Sequence, residues 1–220
     1  MLKTAVIGVG YLGRFHAQKF ASLPESELIG VVDINPEQGQ KVSDELDVPF
    51  YLSFEEVINK VDAVSIAVPT IHHYKSAKAF LANGVHVLLE KPFAETIEEA
   101  EELAQLSSDN NVSLQIGHLE RFNPVFAEFQ HLIDQPKFIE NIRIAPFPKR
   151  GTDVDVILDL MIHDIDLVLA AVGEFPETVE GIGVKFVTSS SDLAKARLRF
   201  PCGCIADLTC LLYTSDAADE

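Results

Sequence analysis

The stretch LKTAVIGVGYLGRFHAQKF, Leu2 to Phe20, decides the fold. Its apolar run LKTAVIG ends at Gly8, and the residues from Tyr11 to about Ser22 suit a helix. Between them lies G-x-G-x-x-G at Gly8, Gly10 and Gly13. By itself such a pattern arises by chance. Here it closes a strand, opens a helix, and is followed by Asp33, twenty residues beyond Gly13 at the end of the next apolar run, ELIGVVD. That context is the physical test of a dinucleotide site. Gly8 permits a tight turn, Gly10 lets backbone approach a pyrophosphate, and Gly13 lets helix and strand pack closely. Tyr11 and Leu12 begin the helix, whose N–H groups and dipole favour phosphate. Asp33 is placed to accept hydrogen bonds from ribose hydroxyls. A carboxylate there repels a 2′-phosphate, so NAD is expected in preference to NADP.

The same alternation continues outward. Pro36 suits the first turn of a helix to about Leu46. Ser53 with Glu56, and Thr96 with Glu99, read as capping boxes. DAVSIAV (Asp62 to Val68), HVLLE (His86 to Glu90) and VSLQIG (Val112 to Gly117) read as buried strands, and Asn83-Gly84 as a helix end. Strands separated by helices imply an α/β, Rossmann-type, doubly wound parallel sheet. Ligands sit at the carboxyl ends of such strands. VPTIHH, with Pro69, Thr70 and His73, and EKP, with Glu90 and Lys91, therefore point to the same crevice as the glycines. A lysine seldom follows a buried strand by accident of packing, so Lys91 is expected at this crevice rather than as a solvated loop residue.

After Gly117 the rhythm changes. A helix near residues 123–133, a strand from Phe138 to Ala145, a helix around DLMIHDIDLVL (Asp159 to Leu169), and strands at 178–187, 194–200 and 204–209 imply a mainly antiparallel α+β domain. The expected division is residues 1–118, a nucleotide domain, and 119–209, a partial substrate and dimerisation domain. On an α-helix Asp155, Asp159, His163 and Asp166 form one stripe, spaced 4, 4 and 3. A wet face would explain it, but the helix is apolar around much of its circumference. An enclosed acid and histidine need partners or a ligand. Metal is not expected at this Asp/His pair, which lacks a clear third ligand, nor at the C-x-C of Cys202 and Cys204.

The formal charge of −17 argues against nucleic acid and anionic membranes. No run approaches the ~18 apolar residues of a membrane helix, and no secretory leader is evident. Three cysteines make no disulfide framework, so a reduced cytoplasmic setting is expected. The closing CLLYTSDAADE back-translates, in frame, to a transposase adapter of sequencing libraries. Residues 210–220 are thus expected to be non-native, with the authentic sequence stopping near Thr209. Without Asp216, Asp219 and Glu220 the charge is 17 − 31 = −14, still strongly acidic.

Taken in order, GVGYLG, Asp33, VPT, EKP and the D-x-x-x-H of Asp159 and His163 resemble the glucose–fructose oxidoreductase / inositol dehydrogenase (Gfo/Idh/MocA) family, from Met1 to about Thr209. GHLERFNP (Gly117 to Pro124), RGTDVDVILDLMIHDIDLVL (Arg150 to Leu169) and LRFPCGCIADLT further resemble its UDP-N-acetylglucosamine 3-dehydrogenase-like members. The resemblance implies an NAD(P)-dependent oxidoreductase of sugars, cyclitols or sugar nucleotides, with an open second sheet that often forms a dimer interface. It implies that Lys91 is the catalytic-site lysine and that Glu90 reaches the nicotinamide ribose. Asp159 and His163 become the substrate-side pair, with His118 and Arg121 at the cofactor–substrate boundary. Full members run on beyond Thr209, so this chain is expected to lack part of the second sheet and to be poorly soluble or inactive. In the expected chemistry His163 accepts the hydroxyl proton, Asp159 orients it, and Lys91 donates to the reacting oxygen. Lys91 acting as the acid/base is the alternative. A non-catalytic NAD-sensing regulator, or a free-sugar or inositol dehydrogenase, are the competing functions.

Overall fold

A computed structural model describes residues 1–146, 155–186 and 188–213. Arg150 to Val154 at the head of one quoted motif, Val187 at an expected strand end, and residues 214–220 of the tail lie outside them. The chain forms two compact units, Met1–Gly117 and His118–Glu220.

In the first unit the elements are β1 (Leu2–Ile7), α1 (Tyr11–Ser22), β2 (Ser26–Val32), α2 (Pro36–Leu46), β3 (Phe50–Tyr51), β4 (Ala63–Ile66), α3 (His73–Leu81), β5 (His86–Leu89), α4 (Ile97–Asp109) and β6 (Leu114–Ile116). The strands pair in parallel in the order β3-β2-β1-β4-β5-β6. This is the doubly wound arrangement, in which strand order reverses beside β1. Successive β1 residues serve opposite faces. Ala5 and Ile7 join a core with Ile66, Leu89, Phe80 and Leu103, while Val6 joins Val9, Ala17, Val31 and Val42 on the other side. Burial on both faces explains why these strands read as unbroken apolar runs. Caps form where the sequence places them: Asn35 Oδ1 accepts from Glu37 and Gln38 N–H ahead of α2, and Thr96 Oγ1 accepts from Glu99 N–H ahead of α4.

The second unit holds α5 (Pro124–Phe129), β7 (Phe138–Pro146), α6 (Ile162–Val172), β8 (Thr178–Val184), β9 (Leu193–Arg199) and β10 (Ile205–Tyr213). Its sheet runs β7-β10-β9-β8, antiparallel except for the parallel β10–β7 pair. Met161 and Val168 pack on Leu198, Ala206, Leu208 and Cys210. β10 therefore continues through Cys210, past the Thr209 at which the native sequence is expected to stop. Two expectations change. The helix near 123–133 is a short α5 followed by a 3-10 turn, Gln130–Leu132. The apolar helix begins as a π turn, Ile157–Met161, in which Ile162 N–H reaches back to Ile157 O. A π turn takes an extra residue, so the straight four-residue stripe from Asp155 to His163 is rotated. Such insertions recur at functional sites. Among the described residues no helix is long and apolar enough to cross a membrane.

Candidate active site

In the first unit a cleft of about 440 Å³ opens at the carboxyl ends of the strands, lined among others by Gly8, Gly10, Asp33, Val68, Pro69 and His72. Gly8 has φ +80°, and a Cβ there would meet Ala67 O at 2.8 Å. A Cβ on Gly13 would fall 1.8 Å from Gly8 O, which is why helix and turn need glycine at that position. The space beside Gly10 is open for 4 Å. Gly13→Ala is therefore expected to force the loop from α1, costing roughly 1–3 kcal/mol or more and most of the nucleotide affinity. Thermal unfolding and NADH fluorescence titration check both effects; retained affinity would contradict the close-packing argument.

Asp33 is built into this cleft. Its Oδ2 accepts the Val9 N–H at 2.8 Å and its Oδ1 accepts the Asn35 N–H at 2.8 Å, which ties the carboxylate to the glycine turn. Each oxygen retains a lone pair for a further donor. Tyr11 and Leu12 are exposed at the head of α1, the Tyr11 ring edge-on to Phe15. Thr70 is buried in a 3-10 turn leading into α3.

Glu90 and Lys91 follow β5. Glu90 is 6% exposed, and a Cβ on Gly117 would come within 3.0 Å of its Oε1. Burial alone would raise the Glu90 carboxyl. The neighbouring His16, then the Lys91 N–H and charge, outweigh it and hold the group below the ordinary carboxyl range. A carboxyl lowered in the fold stabilises above the unfolded pKa of ~4.3 and loses that contribution as pH falls through the folded value. Acid unfolding of Glu90→Gln is expected to lack this component. An unchanged stability–pH profile would show that Glu90 is not held ionised.

His73 was expected to touch cofactor. Its ring is 1% exposed, with Nδ1 2.8 Å from Pro92 O and Nε2 2.9 Å from Val68 O, so it serves the protein's own backbone. The lining residue from that motif is its neighbour His72. Sequence reasoning also passed over His16 and Ser65. His16 follows Gly13 by three residues, so the helical period turns it toward the sheet.

In the second unit the acids of α6 and its π turn divide by role. Asp155 Oδ1 accepts N–H bonds from Ile157 and Leu158, an N-cap. Asp166 takes a bidentate pair from Arg121, at 2.6 and 2.7 Å, which occupies much of that guanidinium. Asp164, absent from the expected stripe, is 1% exposed and paired with Arg143 of β7 at 2.7 Å. Asp159 and His163 are half-buried, and each has an interaction of its own. His118 is also half-buried, and its Nδ1 is enclosed without a hydrogen-bond partner among the described residues.

A doubly wound sheet with a glycine-bordered cleft and a tethered acid at the end of β2 defines a dinucleotide-binding domain of the oxidoreductase type. The chain belongs to the Gfo/Idh/MocA oxidoreductase family, with an NAD-binding Rossmann fold, whose model matches residues 2–118. It is 42% identical over 208 residues to the UDP-N-acetylglucosamine 3-dehydrogenase of Acidithiobacillus ferrooxidans, covering 94% of this chain and 66% of that protein. A solved structure of that enzyme has a TM-score of 0.90 at 40% identity, covering 98% of this chain and 71% of the other. The scyllo-inositol 2-dehydrogenase (NAD(+)) of Bacillus subtilis is 27% identical over 195 residues, covering 83% of this chain and 57% of its own. The chain thus spans less than two thirds of the length of these curated relatives. A structure of scyllo-inositol dehydrogenase from Lactobacillus casei, solved with NAD(H) and scyllo-inositol, shares the fold with a TM-score of 0.83 at 24% identity, covering 95% of this chain and 69% of that one.

Proposed function

We propose that this protein is an NAD-dependent dehydrogenase that oxidises a sugar-nucleotide hydroxyl, with C3 of UDP-N-acetylglucosamine as the reacting carbon. The observation that carries the reading is the Asp33 cleft, whose carboxylate is bonded to the glycine turn and still has acceptor capacity. Similarity to a UDP-N-acetylglucosamine 3-dehydrogenase supports the substrate. Gly8, Gly10, Gly13, Tyr11 and Leu12 would hold the pyrophosphate at the head of α1, and Asp33 the adenosine ribose. Pro69 and Thr70 would wall the cleft, and Glu90 would face the second ribose. NAD, when bound, supplies the hydride acceptor. His163 takes the proton from the substrate hydroxyl, and Asp159 orients the imidazole or a neighbouring hydroxyl. Lys91 donates a hydrogen bond to the reacting oxygen and stabilises its developing charge. His118 and Arg121 border the substrate, Arg121 with the donors that Asp166 leaves it.

The reading also makes the protein a cytoplasmic homo-oligomer. Exposed Ile142 and Ile144 on β7, and Val179 and Ile182 on β8, support association, and light scattering measures it. Formation of NADH across UDP-sugars, free sugars and inositols, by the chain extended to its relatives' full length, tests the function. UDP-N-acetylglucosamine should turn over fastest. A faster inositol would make it an inositol dehydrogenase, and NAD binding without turnover would favour a regulator.

A further inference from the structure

Two histidines of the first unit reach the residues on either side of Lys91. His16 comes from α1, where its Nδ1 lies 2.5 Å from Ser65 Oγ and its Nε2 lies 3.1 Å from Glu90 Oε1. The other oxygen of Glu90 accepts the Lys91 backbone N–H at 3.3 Å. His73 comes from α3 and contacts Pro92 O and Val68 O, at 2.8 and 2.9 Å. A carbonyl only accepts, so the His73 ring donates from whichever nitrogen carries a proton. We infer that His16 and His73 are positioning residues that fix the pose of Lys91, one through the carboxylate before it and the other through the carbonyl after it. The inference rests on the reading of Lys91 as catalytic.

Packing alone does not call for imidazoles here. An apolar side chain of similar size would fill either space without needing polar partners, whereas a buried polar ring costs stability unless it is bonded. What the two rings add is direction. A lysine ammonium sits at the end of a flexible stem, and its aim is only as good as the backbone that carries it. Fixing the residue before and the residue after removes that slack, and a misplacement of about 1 Å can cost ~10²-fold in rate. The anchors also refer Lys91 to the cofactor cleft. His16 stands on the helix whose N-terminus borders the cleft, and the His73 ring lies against the carbonyl of Val68, a cleft-lining residue.

The test is reductive methylation of the 220-residue chain, with Lys91 labelling followed by mass spectrometry against the exposed Lys41 as internal reference. His16→Ala and His73→Phe should each raise the relative rate at Lys91 by about fivefold, the effect of losing one hydrogen bond's worth of ordering. His16→Gln, whose amide can contact Glu90 in place of the imidazole, should bring the rate back near the parent's, which a merely structural site would not do. Should His73→Phe lack a thermal unfolding transition, the two His16 variants decide alone. Unchanged labelling in folded His16→Ala, or no recovery in His16→Gln, overturns the anchoring. NADH protection of Lys91 in the parent chain is a separate arm. Its absence would overturn the placement of Lys91 at the cofactor, whatever the histidine variants show.

Discussion

In the chain extended to its relatives' full length, Lys91→Ala is expected to lower kcat by ~10²–10⁴, the usual worth of one positioned group at the reacting oxygen, while the dissociation constant for NAD stays close to the parent's. Such a split marks an interaction made in the transition state rather than in binding. His163→Ala should cost a similar factor, and the pH profile distinguishes the two. If His163 accepts the proton, the acid limb of kcat/KM disappears in His163→Ala and persists in Lys91→Ala. Loss of the limb in Lys91→Ala alone would give the proton to lysine. Near-parental turnover in either variant would remove that residue from the chemistry.

Asp164→Leu should give the largest loss of stability in the second unit. It strands Arg143 beside an apolar helix, and breaking a buried pair from one side typically costs about 3–5 kcal/mol. Arg143 is partly exposed, so the lower end of that range applies. Replacing both partners by apolar residues should cost less than the two single losses added, because neither charge is then left alone. The Arg197–Asp207 pair on the open sheet face is a fitting control, since its bidentate geometry is similar but its charges remain solvated. Denaturant unfolding of these variants decides the matter. An Asp164→Leu protein as stable as the parent would mean that the Arg143 pair contributes nothing.

The parallel sheet was legible because both of its faces are buried, so each strand announces itself as an apolar run, and because Gly8, Gly13 and Asn83-Gly84 mark turns that other residues fit poorly. The two-residue β3 was not legible, since Phe50–Tyr51 is too short for any period to show. Asp33 and the glycines could be read from spacing because one local turn makes their site. His16 and Ser65 could not, because helix α1 and strand β4 lie 49 residues apart in sequence at this contact and are brought together only by the folded sheet. Around His163 the sequence offered four polar residues as one stripe. The fold assigns Asp155 to a cap and Asp166 to Arg121, and it brings Asp164 into a pair of its own. The partners of Asp166 and Asp164, Arg121 and Arg143, lie 45 and 21 residues away, so the helical spacing of the acids carries no sign of these pairs.

Titration of NAD and of NADP into the 220-residue chain, beside the Asp33→Ala variant, tests the cofactor site most directly. The tethered carboxylate predicts NAD binding at least about tenfold tighter than NADP, because a 2′-phosphate would face a like charge costing several kcal/mol, and it predicts that Asp33→Ala erases most of the difference. Equal or tighter binding of NADP by the parent chain would contradict the assignment of Asp33, and with it the site on which the proposed chemistry depends.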